Sequence, residues 1–536
     1  MSSTSSASFQ GTRPLVRLAL RRDRVIVPAS LAVFIALAAS SATATIGLYP
    51  TVASRVQAAA AINNAPALVA LYGRLYDPTS IGELAMLKTI SFGAAMVAVL
   101  AMVLTVRHTR AEEEAGRLEL IGAAAVGRRA PLTAALGLAA GTVLVLGLLS
   151  AAALVASGLP LAGSVAFGLS WTATGCAFAA VAALAAQLTT SARTANAITG
   201  ATIGAAYLLR AVGDAAGHAG PQWASWVSPL GWAQQIRPFA GNRWWVLALF
   251  VPFTIATAGA AFALNARRDA GAGMLADRPG PATAAAHLRS PVALAWRLHR
   301  GLLAAWAAAF VVLGLVLGGI ASNVGSFLTS PQARDLITRL GGLHGLTDAF
   351  IAAELGFAGV LASAYGIQAA GRLRSEETAD HLEPLLATAT GRVAWACSHL
   401  AFALLGTVAL LTATGLGAGV ARMAQTGDAA AVGQLVVSAL AQVPATWVLT
   451  GIVVAAFGVA PRLSAAGWVA LVAFVLIGEF GSVLRLAQPI LDLSPFAHIP
   501  KLPGSKFAPA PLVWLTLLAA GLTVIGLVTF RRRDIG

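Results

Sequence analysis

The sequence predicts an all-α integral membrane protein of about twelve transmembrane helices, arranged as two parallel six-helix repeats. Three observations predict it. Of the 536 residues, 58% are hydrophobic and only 11% are charged, against roughly 25% charged in soluble domains. The apolar residues fall into long runs, each near the ~20 residues a helix needs to cross a bilayer. A charged motif after the second run recurs at a constant offset after the eighth.

The runs lie near 25–47, 86–106, 131–157, 160–188, 195–213, 244–265, 302–322, 349–370, 393–420, 431–459, 464–484 and 511–530. The fifth and eleventh carry a charge each, Arg210 and Glu479. Lys and Arg set the orientation, because they accumulate in cytoplasmic loops. With the N-terminus inside, 24 of the 36 basic residues fall in inner segments and 11 in outer ones. This places both termini in the cytoplasm of a cell bounded by a plasma membrane. Trp223, Trp226, Trp232, Trp244, Trp245 and Trp514 gather near outer ends of spans, where amphipathic rings settle.

The formal net charge of +15 does not point to nucleic acid, because the arginines sit between apolar runs and form no basic stripe interleaved with aromatics. The two cysteines, Cys176 and Cys397, stand singly inside apolar runs and supply neither a disulfide framework nor a metal cluster. No cleavable signal peptide is evident.

The repeat is explicit. Arg110-Ala-Glu-Glu-Glu-Ala-Gly-Arg-Leu-Glu119 continues to Gly127-Arg128, and Arg374-Ser-Glu-Glu-Thr-Ala-Asp-His-Leu-Glu383 continues to Gly391-Arg392. At a constant offset of 264, Arg110, Glu112, Glu113, Ala115, Leu118, Glu119, Gly127 and Arg128 recur as Arg374, Glu376, Glu377, Ala379, Leu382, Glu383, Gly391 and Arg392. Ser228-Pro229 precedes the sixth span and Ser494-Pro495 the twelfth; Arg267-Arg268-Asp269 ends the sixth and Arg532-Arg533-Asp534 the twelfth. Before the first span, Arg13, Arg17, Arg21 and Arg24 fall on one helical sector of roughly 80°; Arg289, Arg297 and Arg300 do so before the seventh. Both stretches read as interfacial elbow helices. The chain thus divides into a first half, 1–265, a cytoplasmic linker, 266–288, rich in Gly, Pro and Ala, and a second half, 289–536.

The repeated loops read as helices, roughly 108–124 and 372–388, whose spacing puts Glu112, Glu119, Glu376 and Glu383 on exposed faces. Two matched cytoplasmic elements suit a two-fold partner; a solvated charged surface is the plainer alternative. The Arg-x-Glu-Glu-x-x-x-x-Leu-Glu motif resembles the coupling helix of ABC exporter permeases. With Trp226-Val-Ser-Pro-Leu-Gly-Trp232-Ala-Gln-Gln-Ile-Arg-Pro-Phe239, it makes the chain similar to the permease subunits of the tetronasin-type antibiotic and multidrug exporters of actinobacteria. The first half carries the resemblance better; the second departs at Ser494-Pro-Phe-Ala-His498. The resemblance implies efflux of hydrophobic drugs or antibiotics across the plasma membrane. It also implies two copies of a separate ATPase subunit, which would hold the ATP and Mg, with Arg110, Glu112, Glu113, Leu118 and Glu119, and Arg374, Glu376, Glu377, Leu382 and Glu383, coupling to it.

Independently, no G-x-x-x-x-G-K-[ST] loop is present, so this chain itself is expected to bind no ATP, cofactor or metal and to be no enzyme. Ionisable residues at span depth are functional candidates: Lys88, Arg210, Glu354 and Glu479. If the second span of one half meets the fifth of the other, as in related exporters, Lys88 approaches Glu479 and Arg210 approaches Glu354. Pro252 and Pro444 are candidate kinks. A proton-coupled antiporter built on Glu354 and Glu479 is the competing reading. A membrane-embedded transferase is another, although His108, His381 and His399 are scattered and no nucleophile–base pair is evident.

Overall fold

The computed structural model describes residues 8–64, 66–118, 124–215, 221–269, 271–275, 282–283, 285, 288–321, 342–463, 465–480 and 487–534. Among these the chain is helical with no strand. Among the described residues ten helices are long and apolar enough to cross a membrane. Helices also stand at the two remaining expected spans, Ala192–Ala215 and Ala466–Phe480. The former is interrupted by Arg193, Arg210 and Asp214. The latter has 15 residues, fewer than the ~20 of a full span.

The chain forms two compact units, 1–279 and 280–536. In the first, α1 (Thr12–Arg22) turns at Asp23 into α2 (Ile26–Leu48). Two short helices, α3 (Val52–Asn63) and α4 (Pro66–Tyr72), precede the second span. That span is built from α5 (Ile81–Lys88), a π turn at Thr89–Gly93 and α6 (Ala94–Arg107). The motif helix α7 (Arg110–Glu114) follows, then α8 (Ala130–Ala156), α9 (Leu161–Leu188), α10 (Ala192–Ala215), the short α11 (Pro229–Gln235) and α12 (Leu247–Arg267). In the second unit come α13 (Pro291–Ala321), α14 (Gly342–Ala370), α15 (Arg372–Thr378), α16 (Leu382–Leu386), α17 (Arg392–Thr426), α18 (Ala430–Leu440), α19 (Val443–Val459), α20 (Ala466–Phe480), α21 (Gln488–Leu491) and α22 (Pro509–Arg532).

Each unit wraps around its fourth span. In the first, α9 packs against α6, α8, α10 and α12. In the second, α19 packs against α14, α17, α20 and α22, the corresponding neighbours. Composition explains the central place of α9. Its run of Ala, Gly, Ser and Thr lets backbones approach closely, the main source of helix association where lipid is as apolar as the side chains. Gly147 of α8 and Gly168 of α9 face each other so closely that a Cβ on either would overlap the other's carbonyl oxygen. Gly147→Leu is therefore expected to force α8 and α9 apart and destabilise the protein by about 1–3 kcal/mol, measured as a lowered unfolding midpoint in detergent; an unchanged midpoint would show that the pair yields freely.

Two expectations are corrected. The expected second elbow is not a separate helix: residues 291–300 continue without a break into the seventh span. In the first half the turn is anchored by Asp23, fully buried, whose carboxylate binds Arg107 Nε at 3.0 Å and His108 Nε2. The residue before Arg300 is His299 instead, buried against His399 of α17 at 3.0 Å, and nothing there bends the chain. α12 runs to Arg267, and beyond it residues 271–275 lie against the end of α9, with Met274 N–H donating to Gln187 O and Leu275 N–H to Leu188 O. Finally, Pro444 does not kink a continuous helix but stands in the first turn of α19, after a break from α18, where its missing N–H costs nothing. Pro252 lies inside α12.

Candidate functional site

The two motif loops are built alike. Neither is one long helix. The first stops after α7, with Gly116 left-handed at φ 69°; the second stops after α15, with Asp380 left-handed at φ 56°. These positions are 264 apart, so the break itself repeats. Residues 119–123, Glu119 among them, lie outside the described residues.

The acids of the motif do not all face out. Glu113 is turned inward, its side chain 8% exposed. It accepts two hydrogen bonds from Arg268 at 2.7 Å each and one from Gly271 N–H at 2.6 Å, and pairs with Arg110 at 3.1 Å. Arg110 is 1% exposed and donates to the carbonyls of Ala186, at the end of α9, and Ala272. Glu377 repeats the bond: Arg533 donates to it at 2.6 Å, and Arg374 pairs with it at 3.2 Å. Arg128 donates to the carbonyls of Asn265 and Arg268, and Arg392 to those of Arg531 and Arg533. In each unit, therefore, the motif loop and the start of the third span are fastened to the end of the sixth.

The exposed-face reading fails for two of the four glutamates. Glu376 is buried, bound to Arg372 at 2.7 Å and His381 at 3.2 Å. Glu112 is half-buried between Arg22, on α1, and Arg117, which donates at 2.8 and 3.2 Å. Glu383 is exposed as expected, while Leu382 beside it is buried and Leu118 half-buried. Glu112 and Glu376 both precede the break in their loops; what covers them is Arg22 in one case and Arg372 with His381 in the other, and helical spacing does not name these partners. Arg268 and Arg533 were visible as repeated landmarks, but nothing in their spacing names Glu113 and Glu377 as partners. Glu114, singled out by no pattern, accepts from Ala192 N–H at 2.9 Å and so caps the first turn of α10.

The intramembrane charges resolve differently. Arg210 is fully buried and neutralised in its own half by Asp214, one turn on, at 3.4 Å. It also donates to the carbonyls of Ala70 and Leu71 and lies over the Tyr207 ring, 4.4 Å from its centroid. Asp214 in turn accepts from Ser225 Oγ at 2.7 Å. The case for sending Arg210 to Glu354 thus loses its premise, an unpaired cation. Asp214 lay one residue beyond the span as read, although an i, i+4 Arg–Asp pair is a recognisable signal. Lys88 is exposed, its ammonium 5.5 Å from the Tyr72 ring centroid. Glu354 is half-buried on α14, and the side chain of Glu479 lies outside the described residues.

Around Arg210 the polar network continues through the Trp226–Phe239 stretch. Gln234 of α11 meets Ser91 of the π turn at 3.2 Å, and Trp171 of α9 donates to the Thr89 carbonyl of the same turn at 3.0 Å. Arg237, at φ 51°, stacks its guanidinium 3.6 Å from the Tyr76 ring centroid. Burial, and the Asp214 carboxylate nearby, push the Tyr76 phenol above its ordinary value; it stays protonated and accepts from Gln235 Nε2 at 2.9 Å. Among the described residues no group of three His, Cys, Asp or Glu could hold a metal.

The chain is 42% identical to the multidrug efflux system permease protein Rv1217c of Mycobacterium tuberculosis (strain ATCC 25618 / H37Rv) over 532 residues, 99% of this chain and 96% of that protein. The family described as multidrug efflux system permease Rv1217c, C-terminal domain, matches residues 288–531. That match falls on the second half, where the sequence resemblance was the thinner.

Proposed function

The chain belongs to the family of multidrug efflux permeases typified by Rv1217c, and on that premise we propose that it is the membrane-spanning permease of an ATP-driven ABC exporter. It moves hydrophobic drugs or antibiotics out across the plasma membrane, with both termini in the cytoplasm and hydrolysis supplied by two copies of a separate ATPase subunit. One observation carries this reading: the motif loop of each half is fastened to the end of the sixth span by the same bond, Glu113–Arg268 in one and Glu377–Arg533 in the other. An ATPase dimer that closes on two such loops moves several spans of each half together. A loop that only carries solvated charge has no need of a buried anchor, still less of the same anchor twice.

With Glu113, Glu376 and Glu377 committed internally, contact with the ATPase falls to the exposed Glu383 and, by the sequence repeat, to its mate Glu119. Glu119→Ala/Glu383→Ala is expected to leave insertion and folding unchanged and to lower drug-stimulated ATPase activity and efflux by about tenfold or more. That corresponds to losing one or two charge-assisted contacts of ~1.5–3 kcal/mol in total. Wild-type assembly, stimulation and efflux in the double variant would exclude these glutamates. The mass of the purified complex, with one permease and two ATPase chains expected, tests the wider reading. Efflux that persists without any ATPase and collapses with the proton gradient would replace it by antiport.

A further inference from the structure

A partly open cavity of about 390 Å³ lies in the first unit between α1, the motif loop and the start of α8. That volume is within the roughly 300–1,000 Å³ of small-molecule sites. Its walls are apolar: Leu15, Leu18 and Ala19 from α1, and Pro131, Ala134 and Ala135 from α8. One end is cationic. Arg22 and Arg117 both line it and share a single carboxylate, Glu112, which leaves one positive charge in excess. Among the described residues the other nearby acid, Asp23, is fully buried and already held by Arg107 and His108. Partial burial, and then the positive neighbours Arg107 and Arg117, hold the Arg22 guanidinium below its ordinary value, in keeping with a crowded group of cations. Arg22 and Arg117 remain 34% and 49% exposed and so within reach of a ligand.

We propose that this cavity is a binding site for an anionic phospholipid of the surrounding leaflet, with an acyl chain along the α1 and α8 walls and the headgroup phosphate on Arg22 and Arg117. The site lies where such a lipid lives, because α1 has the exposed Leu18 and Leu20 beside its arginines, the pattern of a helix in the membrane interface. Guanidinium is also the side chain best matched to phosphate, by two parallel hydrogen bonds. A free phosphate would leave the apolar walls unused, and an uncharged drug would leave the cations unused; an anionic amphiphile uses both. Since Glu112 joins α1 to the motif loop, a phosphate drawing on Arg22 and Arg117 touches both elements at once.

The test is native mass spectrometry of the detergent-extracted permease titrated with phosphatidylglycerol or with phosphatidylcholine of the same chains; no ATPase is required, so its outcome is separable from that of the exporter reading. Wild-type protein is expected to bind phosphatidylglycerol several-fold more tightly, about fivefold for each interfacial arginine engaged. Arg22→Gln/Arg117→Gln, both near the surface, should bring it down to the phosphatidylcholine level, and Leu18→Trp, which fills the apolar end, should weaken both lipids. A phosphatidylglycerol preference that survives the double glutamine variant overturns the proposal, as does lipid binding indifferent to Leu18→Trp. Tighter and competing binding of tetraphenylphosphonium would make the cavity a substrate site, and strong competition by inorganic phosphate would make it a plain anion site; either result removes the lipid assignment.

Discussion

Glu113→Gln is expected to be among the most damaging single substitutions outside the membrane core, destabilising the protein by about 3–5 kcal/mol. The size follows from what the carboxylate faces. Arg110 is 1% and the Arg268 side chain 9% exposed, and a neutral amide leaves two buried guanidiniums beside each other without the carboxylate both of them bind. It also weakens the bond from Gly271 N–H. Glu377→Gln should cost less, about 1–2 kcal/mol, because Arg533 and Arg374 are 19% and 32% exposed and water relieves them. Both are read as shifts of the unfolding midpoint in detergent by intrinsic tryptophan fluorescence. If Glu113 behaved as a surface charge, its loss would cost under about 1 kcal/mol, and equal small shifts in the two variants would dissolve the anchoring argument. Arg268→Gln is the companion variant: it should cost less than Glu113→Gln, since Arg110 still holds the carboxylate.

The contrast between Glu112 and Glu113 shows how far the sequence could be read. The repeat was legible because identity at a fixed offset needs no structure, and it located both loops and the arginine pairs that end the sixth and twelfth spans. The spans were legible because a bilayer demands long apolar runs: among the described residues ten helices are long and apolar enough to cross, and a charged helix and a 15-residue one stand at the other two runs. Which glutamate faces inward was not legible. Spacing orders side chains around a helix but does not say which face is covered, and the Glu113 partners Arg268 and Gly271 lie 155 and 158 residues on; the loops also break at Gly116 and Asp380. A Gly at the first site hints at such a break; an Asp at the second does so more weakly. The missing second elbow has the same cause in reverse. Spacing marked an amphipathic segment before both first spans, but only Asp23 bends the chain, and its partners Arg107 and His108 lie 84 and 85 residues away. The network around Arg210 was the least visible part, since its members come from α4, α10 and the segment before α11, with no shared period.

Arg210→Met is expected to cost about 3–5 kcal/mol, because it strands Asp214 as an uncompensated buried carboxylate. The carboxylate keeps Ser225 as a donor, which limits the loss without removing it. Asp214→Leu should cost a similar amount by stranding the guanidinium, softened by the Ala70 and Leu71 carbonyls and the Tyr207 ring. The double variant Arg210→Met/Asp214→Leu should then recover part of the sum, since a buried ion pair replaced by apolar side chains of similar volume is often close to neutral. Recovery stays partial because the Ala70 carbonyl of α4 loses its arginine donor, while Leu71 keeps only the Tyr207 hydroxyl. The cycle should give a coupling of about 1–3 kcal/mol, the range for residues in one network. A second cycle with Glu354→Gln distinguishes the two partners proposed for Arg210. Coupling close to zero there, beside strong coupling to Asp214, fixes the arginine as an internal brace of the first half, holding α4 to α10. Coupling to Glu354 as large as that to Asp214 would bring back the pairing between halves, and with it a charge whose partner changes as the transporter cycles.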